Sequence, residues 1–263
     1  MDRNERLQDV QTEIPTKDIS LTFLKGMTVL RAFDEDHTRL TLAEISRLTG
    51  IERAVVRRLV LTLVHLGYVR KEENRYSLTP HILVLGGGFL RGNQFGRLVQ
   101  PLLEMCAHEV GYSVGLAMED GSDAVYVAQS SLQNSRYTFG FTVGSRLPLL
   151  STAIGRMLLA WGDPARTQKF IETAPLEQFT AETEMDRARI AASVAAIREA
   201  GASIVHGEFE AGATGLAVPV GRLGAVQGAL GLSEPKGELP VARHAGVIDI
   251  LHRYAAQIAT VLH

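Results

Sequence analysis

Residues 41–78, TLAEISRLTGIERAVVRRLVLTLVHLGYVRKEENRYSL, constrain the fold more than any other stretch of the chain. Two helical patterns stand either side of a glycine turn, and a short basic hairpin follows. That is the plan of a winged helix-turn-helix. Thr41-Leu42-Ala43-Glu44 has the form of a capping box, in which the Thr41 hydroxyl and the Glu44 carboxylate satisfy each other's free backbone donors. Ile45 and Leu48 then point to one side, and Gly50 supplies the left-handed conformation that ends the helix. From Ile51 the pattern resumes. Val55, Leu59, Leu63 and Leu66 fall at helical spacing and form one apolar stripe. Arg53, Ala54 and Arg57 are expected on the opposite face, with Arg58 on its flank, and Gly67 as the stop. Tyr68-Val69-Arg70 and Arg75-Tyr76-Ser77-Leu78 form the hairpin, with Glu73-Asn74 at its tip.

A helix with a buried stripe and outward arginines suits the major groove, where guanidinium groups pair with guanine edges and hold phosphates. A lone arginine pair would read as a solvated face. The turn, the capped neighbouring helix and the hairpin favour double-stranded DNA. The candidate contacts are Arg47, Arg53, Ala54, Arg57 and Arg58, with Arg70, Lys71 and Arg75 on the wing reaching phosphates or a minor groove. Glu72 and Glu73 oppose that role for the wing, because they repel phosphate.

The net charge of −2 does not announce a nucleic-acid partner, but its distribution does. Residues 39–75 hold eight basic and four acidic side chains, a local +4; residues 76–263 hold fourteen and seventeen, a local −3. A basic reader joined to a mildly acidic body is the pattern expected of a regulator. The 263 residues allow one or two domains. One cysteine, Cys106, excludes an internal disulfide and a cysteine-based zinc site, and its apolar helical setting makes it a buried small hydrophobe. No apolar run reaches membrane-spanning length, and MDRNERLQDV lacks the apolar core of a signal peptide, so the expected location is cytoplasmic.

In chain order, residues 1–18 read as a flexible arm, 19–79 as the reader, 80–96 as a linker helix and 97–263 as a second domain. The first helix, 19–35, is expected to bury Phe23, Leu24, Met27, Leu30 and Phe33, with Gly26 at a close contact. Asp34-Glu35-Asp36-His37 reads as a solvated loop and not a metal site. Thr79-Pro80 opens the linker helix, which Gly86-Gly87-Gly88 interrupts as a hinge or a close helix contact. Residues 97–110 form a helix bent at Pro101, with Leu98, Leu102, Met105 and Val110 inside. Strands are expected at 113–118, 124–128, 136–143, 203–209, 216–220 and 226–232, and helices at 186–200 and 241–262, the former with Arg187, Arg189 and Arg198 outside. Residues 144–152 read as an irregular loop feeding a helix to Trp161. The free N–H groups at Ser151–Ala153 make that helix start anion-ready. The fold class is α+β, a winged helix-turn-helix followed by helices flanking an antiparallel sheet.

From about residue 20 to the end, the chain resembles the IclR family of bacterial transcription regulators. Leu24-Lys25-Gly26-Met27-Thr28-Val29-Leu30, Leu42-Ala43-Glu44-Ile45, Thr49-Gly50, Arg58-Leu59, Leu66-Gly67-Tyr68-Val69 and Tyr76-Ser77-Leu78-Thr79-Pro80 carry the likeness in the reader. Gly144-Ser145-Arg146-Leu147-Pro148, Thr152-Ala153-Ile154-Gly155-Arg156 and Leu158-Leu159-Ala160 carry it in the second domain. The resemblance implies a GAF-like effector domain, a homodimer or homotetramer, and a small ligand, often an organic acid. It implies neither an enzyme nor a cofactor. It maps effector positions onto Arg136, Phe139, Ala153, Ile154, Val205, Gly215, Gly231 and Ser233, beside Ser151 and Thr152 at the anion-ready helix start. Members that bind glyoxylate-like acids carry an acidic residue and a cysteine at the Val205 and Gly215 positions, and a polar residue at Gly231. These departures predict a larger, more apolar pocket and a bulkier carboxylate, aromatic acids included, held by Arg136 or the Ser151–Ala153 amides.

Two other classes compete. A GAF-like enzyme would need more cysteines for thiol chemistry. His206, Glu208 and Glu210 alternate, which allows two-carboxylate or metal chemistry but fits a solvent-facing polar edge better. An interaction module that no longer binds DNA has only Glu72 and Glu73 in its favour.

Overall fold

The computed structural model describes residues 15–34, 36–130 and 142–262. The chain divides into two compact units, residues 1–89 and 90–263.

The first unit is built of α1 (Leu21–Arg31), α2 (Leu42–Thr49), α3 (Arg53–His65) and the hairpin β1 (Val69–Glu72)–β2 (Arg75–Leu78). Local chemistry sets its corners. Thr41 Oγ1 accepts from Glu44 N–H at 3.3 Å while Glu44 Oε2 accepts from Thr41 N–H at 2.7 Å, closing the capping box. These hydrogen bonds hold the Glu44 carboxyl below its usual range. Gly50 sits at φ 66° and Glu73, at the hairpin tip, at φ 53°. Leu40 exchanges backbone hydrogen bonds with Tyr76 at 2.9 and 2.7 Å, adding a third short strand to the wing.

The α3 stripe is phased one residue from the sequence reading. Val56, Val60 and Leu63 are buried, Val55 and Leu59 only partly, and Leu66 is 53% exposed. Each residue advances a helix by about 100°, so that step turns the outer face as well. Ala54 and Arg58 now stand opposite the core, with Arg53 and Arg57 on a flank. In α1, Val29 and Leu30 are buried, whereas Phe23, Leu24 and Met27 are exposed. A Cβ at Gly26 would meet Leu59 Cδ2 at 3.8 Å, an ordinary contact rather than a tight one.

The linker helix α4 (Ile82–Gly92) starts two residues after Pro80 and runs through Gly86–Gly88 without a break, and the division between units falls inside it. Glycine weakens a helix by about 1 kcal/mol per residue without forbidding it. A Cβ built at Gly86 or Gly88 meets no atom within 4 Å beyond its own stretch of helix, so no close contact among the described residues explains them.

The second unit opens with a π-turn at Phe95–Val99, which follows Gln94 at φ 53° and leads into α5 (Gln100–Val110). Pro101 lies in the first turn of α5, where a missing N–H costs nothing. Leu103, Cys106, Ala107 and Val110 are its buried side, while Met105 is 56% exposed. The strands β3 (Val114–Asp120), β4 (Asp123–Ser130), β5 (Arg146–Pro148), β6 (Ser203–His206), β7 (Ala213–Arg222) and β8 (Ala225–Pro235) form one antiparallel sheet in the order β5-β4-β3-β8-β7-β6. The short β5 falls in the stretch read as an irregular loop. Of the strand expected at 136–143, residues 136–141 lie outside the described residues, and Thr142 and Val143 are not in a strand.

One face of the sheet, with Leu116, Leu216, Val218 and Leu230, packs on α5 and on the closing helix α9 (Val241–Val261). The other face is made of small residues, including Ala117, Gly215, Ala217, Ala229 and Gly231, and takes α6 (Ala153–Trp161). Every α6 residue from Ala153 to Ala160 is buried. The helices α7 (Pro164–Thr173) and α8 (Arg187–Ala200) complete this side. Two of the α8 arginines expected outside are structural. Arg198 donates to the Ala160 and Gly162 carbonyls at 2.9 and 3.2 Å, and Arg187 to those of Ile171 and Ala174, so both close the ends of neighbouring helices. Arg189 is exposed, beside Glu184 and Asp186. Among the described residues no helix is long and apolar enough to cross a membrane.

Candidate nucleic-acid interface and ligand cavity

The basic residues of the first unit fall into two groups. Arg47, on the last turn of α2, and Arg53, Arg57 and Arg58 on α3 are exposed, and their side chains make no hydrogen bond or ion pair with other described residues. The wing arginines are engaged. Arg70 Nε donates to Ser77 Oγ at 3.0 Å and lies 3.3 Å from Glu72. Arg75 Nη1 donates to the Arg39 carbonyl at 3.1 Å and lies 3.7 Å from Glu44. Glu72 also faces Arg39 at 3.5 Å, so its charge is compensated on the protein and opposes a phosphate less than the sequence suggests. Lys71 is exposed on the same strand.

In the second unit a cavity opens between the start of α6, the connection from β6 to β7, and the small-residue face of the sheet. Tyr126, Leu147, Ser151, Thr152, Ala153, Ile154, Val205, Gly207, Glu208, Phe209, Glu210, Ala213, Gly215, Leu232 and Ser233 line it. Thr152 fixes one wall. Its Oγ1 accepts from Gly155 N–H at 3.0 Å and donates to the Pro148 carbonyl at 2.8 Å. Gly155 permits that crossing, because any Cβ there would stand 2.4 Å from Leu149 Cα. The first N–H groups of α6 have no acceptor within the helix, and its dipole favours an anion.

The β6–β7 connection is latched from outside the cavity. Arg156, buried on α6, donates to the Leu150 carbonyl at 2.8 Å and to Glu208 at 2.6 Å. Glu208 also accepts from Glu184 N–H at 3.0 Å, and Thr180 and Thr183 donate to the Gly207 and Glu208 carbonyls, both at 2.6 Å. Gly207, at φ 64°, breaks the alternation expected through His206, Glu208 and Glu210. Those three therefore do not form a polar strand edge. His206 meets Thr214 at 3.0 Å on the α9 side of the sheet, while Glu208 and Glu210 line the cavity. Glu210 Oε2 is buried without a hydrogen-bond partner among the described residues, and burial pushes its carboxyl upward in pKa.

Of the effector positions expected from the sequence, Ser151, Thr152, Ala153, Ile154, Val205, Gly215 and Ser233 meet at this cavity. Arg136 and Phe139 lie outside the described residues. Gly231 does not line it. A Cβ there would meet the Leu216 carbonyl at 2.5 Å, and one at Gly215 would meet Ala153 Cβ at 3.1 Å. These glycines let α6 settle on the sheet, Gly215 while also lining the cavity and Gly231 away from it. The cavity holds ≈ 50 Å³ of water-accessible space within ≈ 450 Å³ of atom-free volume that includes open solvent. A benzene-sized guest occupies about 150 Å³ in an engineered apolar cavity, so a ring requires a wall to give. Glu208, Phe209, Glu210 and Tyr126 were missed by the sequence reading; the alternating acids in 206–210 were the available signal. A second, wider cavity of ≈ 340 Å³ lies among Phe95, Met118, Glu119, Arg166 and Gln227. Its Glu119 is paired with Arg166, so it offers no comparable unmet group.

Among the described residues no group of three His, Cys, Asp or Glu side chains could hold a metal ion. Cys106 is fully buried and burial pushes its thiol up to about 12, the setting of a packing residue.

Residues 23–73 match the family model of the IclR helix-turn-helix domain, and residues 90–260 that of the bacterial transcriptional regulator IclR C-terminal domain. The chain belongs to the IclR family of transcription regulators. It is 33% identical over 203 residues to the Pca regulon regulatory protein of Pseudomonas putida, spanning 77% of this chain and 70% of that one. The p-hydroxybenzoate hydroxylase transcriptional activator of Acinetobacter baylyi is 30% identical over 212 residues, 79% and 78% of the two chains. An IclR homologue from Microbacterium hydrocarbonoxydans, solved in complex with 4-hydroxybenzoate, superposes with a TM-score of 0.74 at 25% identity, over 92% of this chain and 98% of that one. IclR-family members are transcription regulators rather than enzymes, and an IclR regulator acts through its helix-turn-helix on DNA.

Proposed function

We propose that this IclR-family regulator answers to an aromatic carboxylate bound in the α6 cavity, with the carboxylate at the Ser151–Ala153 turn. The observation that carries the reading is the cavity itself, a mostly apolar chamber closed at one end by a helix start. A relative that activates p-hydroxybenzoate hydroxylase and a homologue solved with 4-hydroxybenzoate support the ligand class. On the DNA side, Arg53, Ala54, Arg57 and Arg58 enter the major groove, Arg47 holds phosphate, and Arg70, Lys71 and Arg75 carry the wing along the backbone. The regulator works in the cytoplasm as a homo-oligomer. Leu21, Phe23, Leu24 and Met27 recur at helical spacing on α1 and are exposed, an apolar face that a second copy covers. A dimer sets two α3 helices about one DNA turn apart, ~34 Å, on a two-fold site. Ligand binding favours one arrangement of the dimer over another.

A thermal-shift screen against aliphatic and aromatic monocarboxylates tests the ligand class. A ligand at 100 times its Kd adds about 2.7 kcal/mol to the folded state. Aromatic acids should raise Tm; a response confined to glyoxylate-sized acids sinks the assignment.

A further inference from the structure

We propose that Glu210 is the specificity-determining residue of the cavity. Its unpartnered oxygen accepts a hydrogen bond from a hydroxyl at the end of the ligand remote from the carboxylate, so that hydroxylated aromatic monocarboxylates are selected over the parent acids. This rests on the effector-site reading above and assigns the group that discriminates within it.

The cavity lining contains two acidic side chains in opposite situations. Glu208 is neutralised by Arg156 at 2.6 Å and by Glu184 N–H at 3.0 Å. That pairing uses the buried cation of α6, and Glu210 is left with Oε2 buried and unmet. A buried acceptor with no protein donor among the described residues is one that a ligand hydroxyl can satisfy. A ligand without one seals the group further from water.

The two polar ends of the cavity are separated along β7. Gly215 lies against Ala153 at the start of α6. Ala213, two residues earlier, takes the Glu210 carbonyl on its N–H at 3.1 Å, so Glu210 belongs to the loop end. Two strand residues span about 7 Å. Leu147, Ile154, Val205 and Phe209 supply apolar lining beside these ends. An anion fits the helix end and a neutral donor fits the loop end. A dicarboxylate would set a second negative charge against Glu210 and is disfavoured.

Calorimetric titration of the full chain with benzoate, 3-hydroxybenzoate, 4-hydroxybenzoate and adipate tests this, on wild type, Glu210→Gln and Glu210→Ala. In the wild type a hydroxybenzoate should bind roughly 10- to 100-fold tighter than benzoate, the range for a hydrogen bond to a charged acceptor. In Glu210→Ala that ratio should collapse to about two-fold, with benzoate no longer sealing an unmet carboxylate, and an unfolding midpoint in urea close to wild type shows that the variant is folded. Glu210→Gln, which keeps an acceptor, should retain part of the preference. A wild-type ratio near one, or a preference that survives in Glu210→Ala, overturns the role of Glu210 and leaves the aromatic-acid reading intact. Failure of every aromatic acid to bind wild type, with adipate binding, overturns both.

Discussion

Helix α3 and the α6 cavity both present polar groups without a partner among the described residues, but at different cost. The α3 arginines are exposed to water, so holding them clear of partners among the described residues costs little. Glu210 Oε2 is buried, where an unmet acceptor is expensive. Around each, the neighbouring charges are consumed internally: Arg70 and Arg75 in the wing, Arg156 and Glu208 by the cavity. Among the described residues the charges that hold the fold are paired, and so are the wing arginines, whereas the α3 arginines and Glu210 Oε2 are not.

The sharpest way to break that distinction is to unpair a structural charge. Arg156→Met strands Glu208 beside the cavity and should destabilise the second unit by about 3–5 kcal/mol. Arg156→Met combined with Glu208→Gln should recover most of the loss in urea unfolding. Equal instability of the single and double variants would mean that packing, not charge, is what Arg156 supplies.

Next comes pH. Burial, with Glu238 nearby, raises Glu234 from the usual 4.5 to about 7. The native state then keeps a proton that the unfolded chain releases near 4.5, so stability falls as pH rises between about 4.5 and 7 and is flat above. Unfolding of Glu234→Gln against wild type should show a difference that opens across this window, roughly 1–3 kcal/mol in size. A constant difference would remove Glu234 as its source.

On the DNA side, Arg58→Ala should leave stability within about 0.5 kcal/mol of wild type, because no described residue pairs with the guanidinium. It should weaken specific DNA binding by about 1–3 kcal/mol. Arg75→Ala should cost less in DNA binding and more in wing stability, the reverse order, since its guanidinium is already spent. The smallest effect expected is Gly88→Ala, which adds up to about 1 kcal/mol of helix propensity at a position with open space around it. A loss there would show that a second copy packs on that glycine.

The reader was the more legible half because its signals are local. The capping box, Gly50 and the hairpin tip are each decided within four residues. Phase was not local. In α3 the sets Val55/Leu59 and Val56/Val60 satisfy the same periodicity, and contact with α1 and the wing chose the second. The same one-step error occurs in α5, and in α1 exposed Phe23 and Met27 mimic a core face. The cavity was half legible. The Thr152–Arg156 motif marks one wall, and the family resemblance, not residue spacing, points to Val205 and Ser233. The partner of Glu208 lies 52 residues away on α6, a distance that no sequence spacing encodes. Gly215 and Gly231 read as emptied positions, and the structure adds that a helix rests on the sheet there.

The most direct test of the account is a fluorescence-anisotropy titration of the full regulator onto a duplex from the region flanking its own gene, with and without saturating 4-hydroxybenzoate at fixed salt. The account predicts that the ligand shifts the DNA dissociation constant by about 5- to 150-fold, the range of a coupling of 1–3 kcal/mol. Superimposable curves, with the ligand shown by calorimetry to be bound, would contradict it.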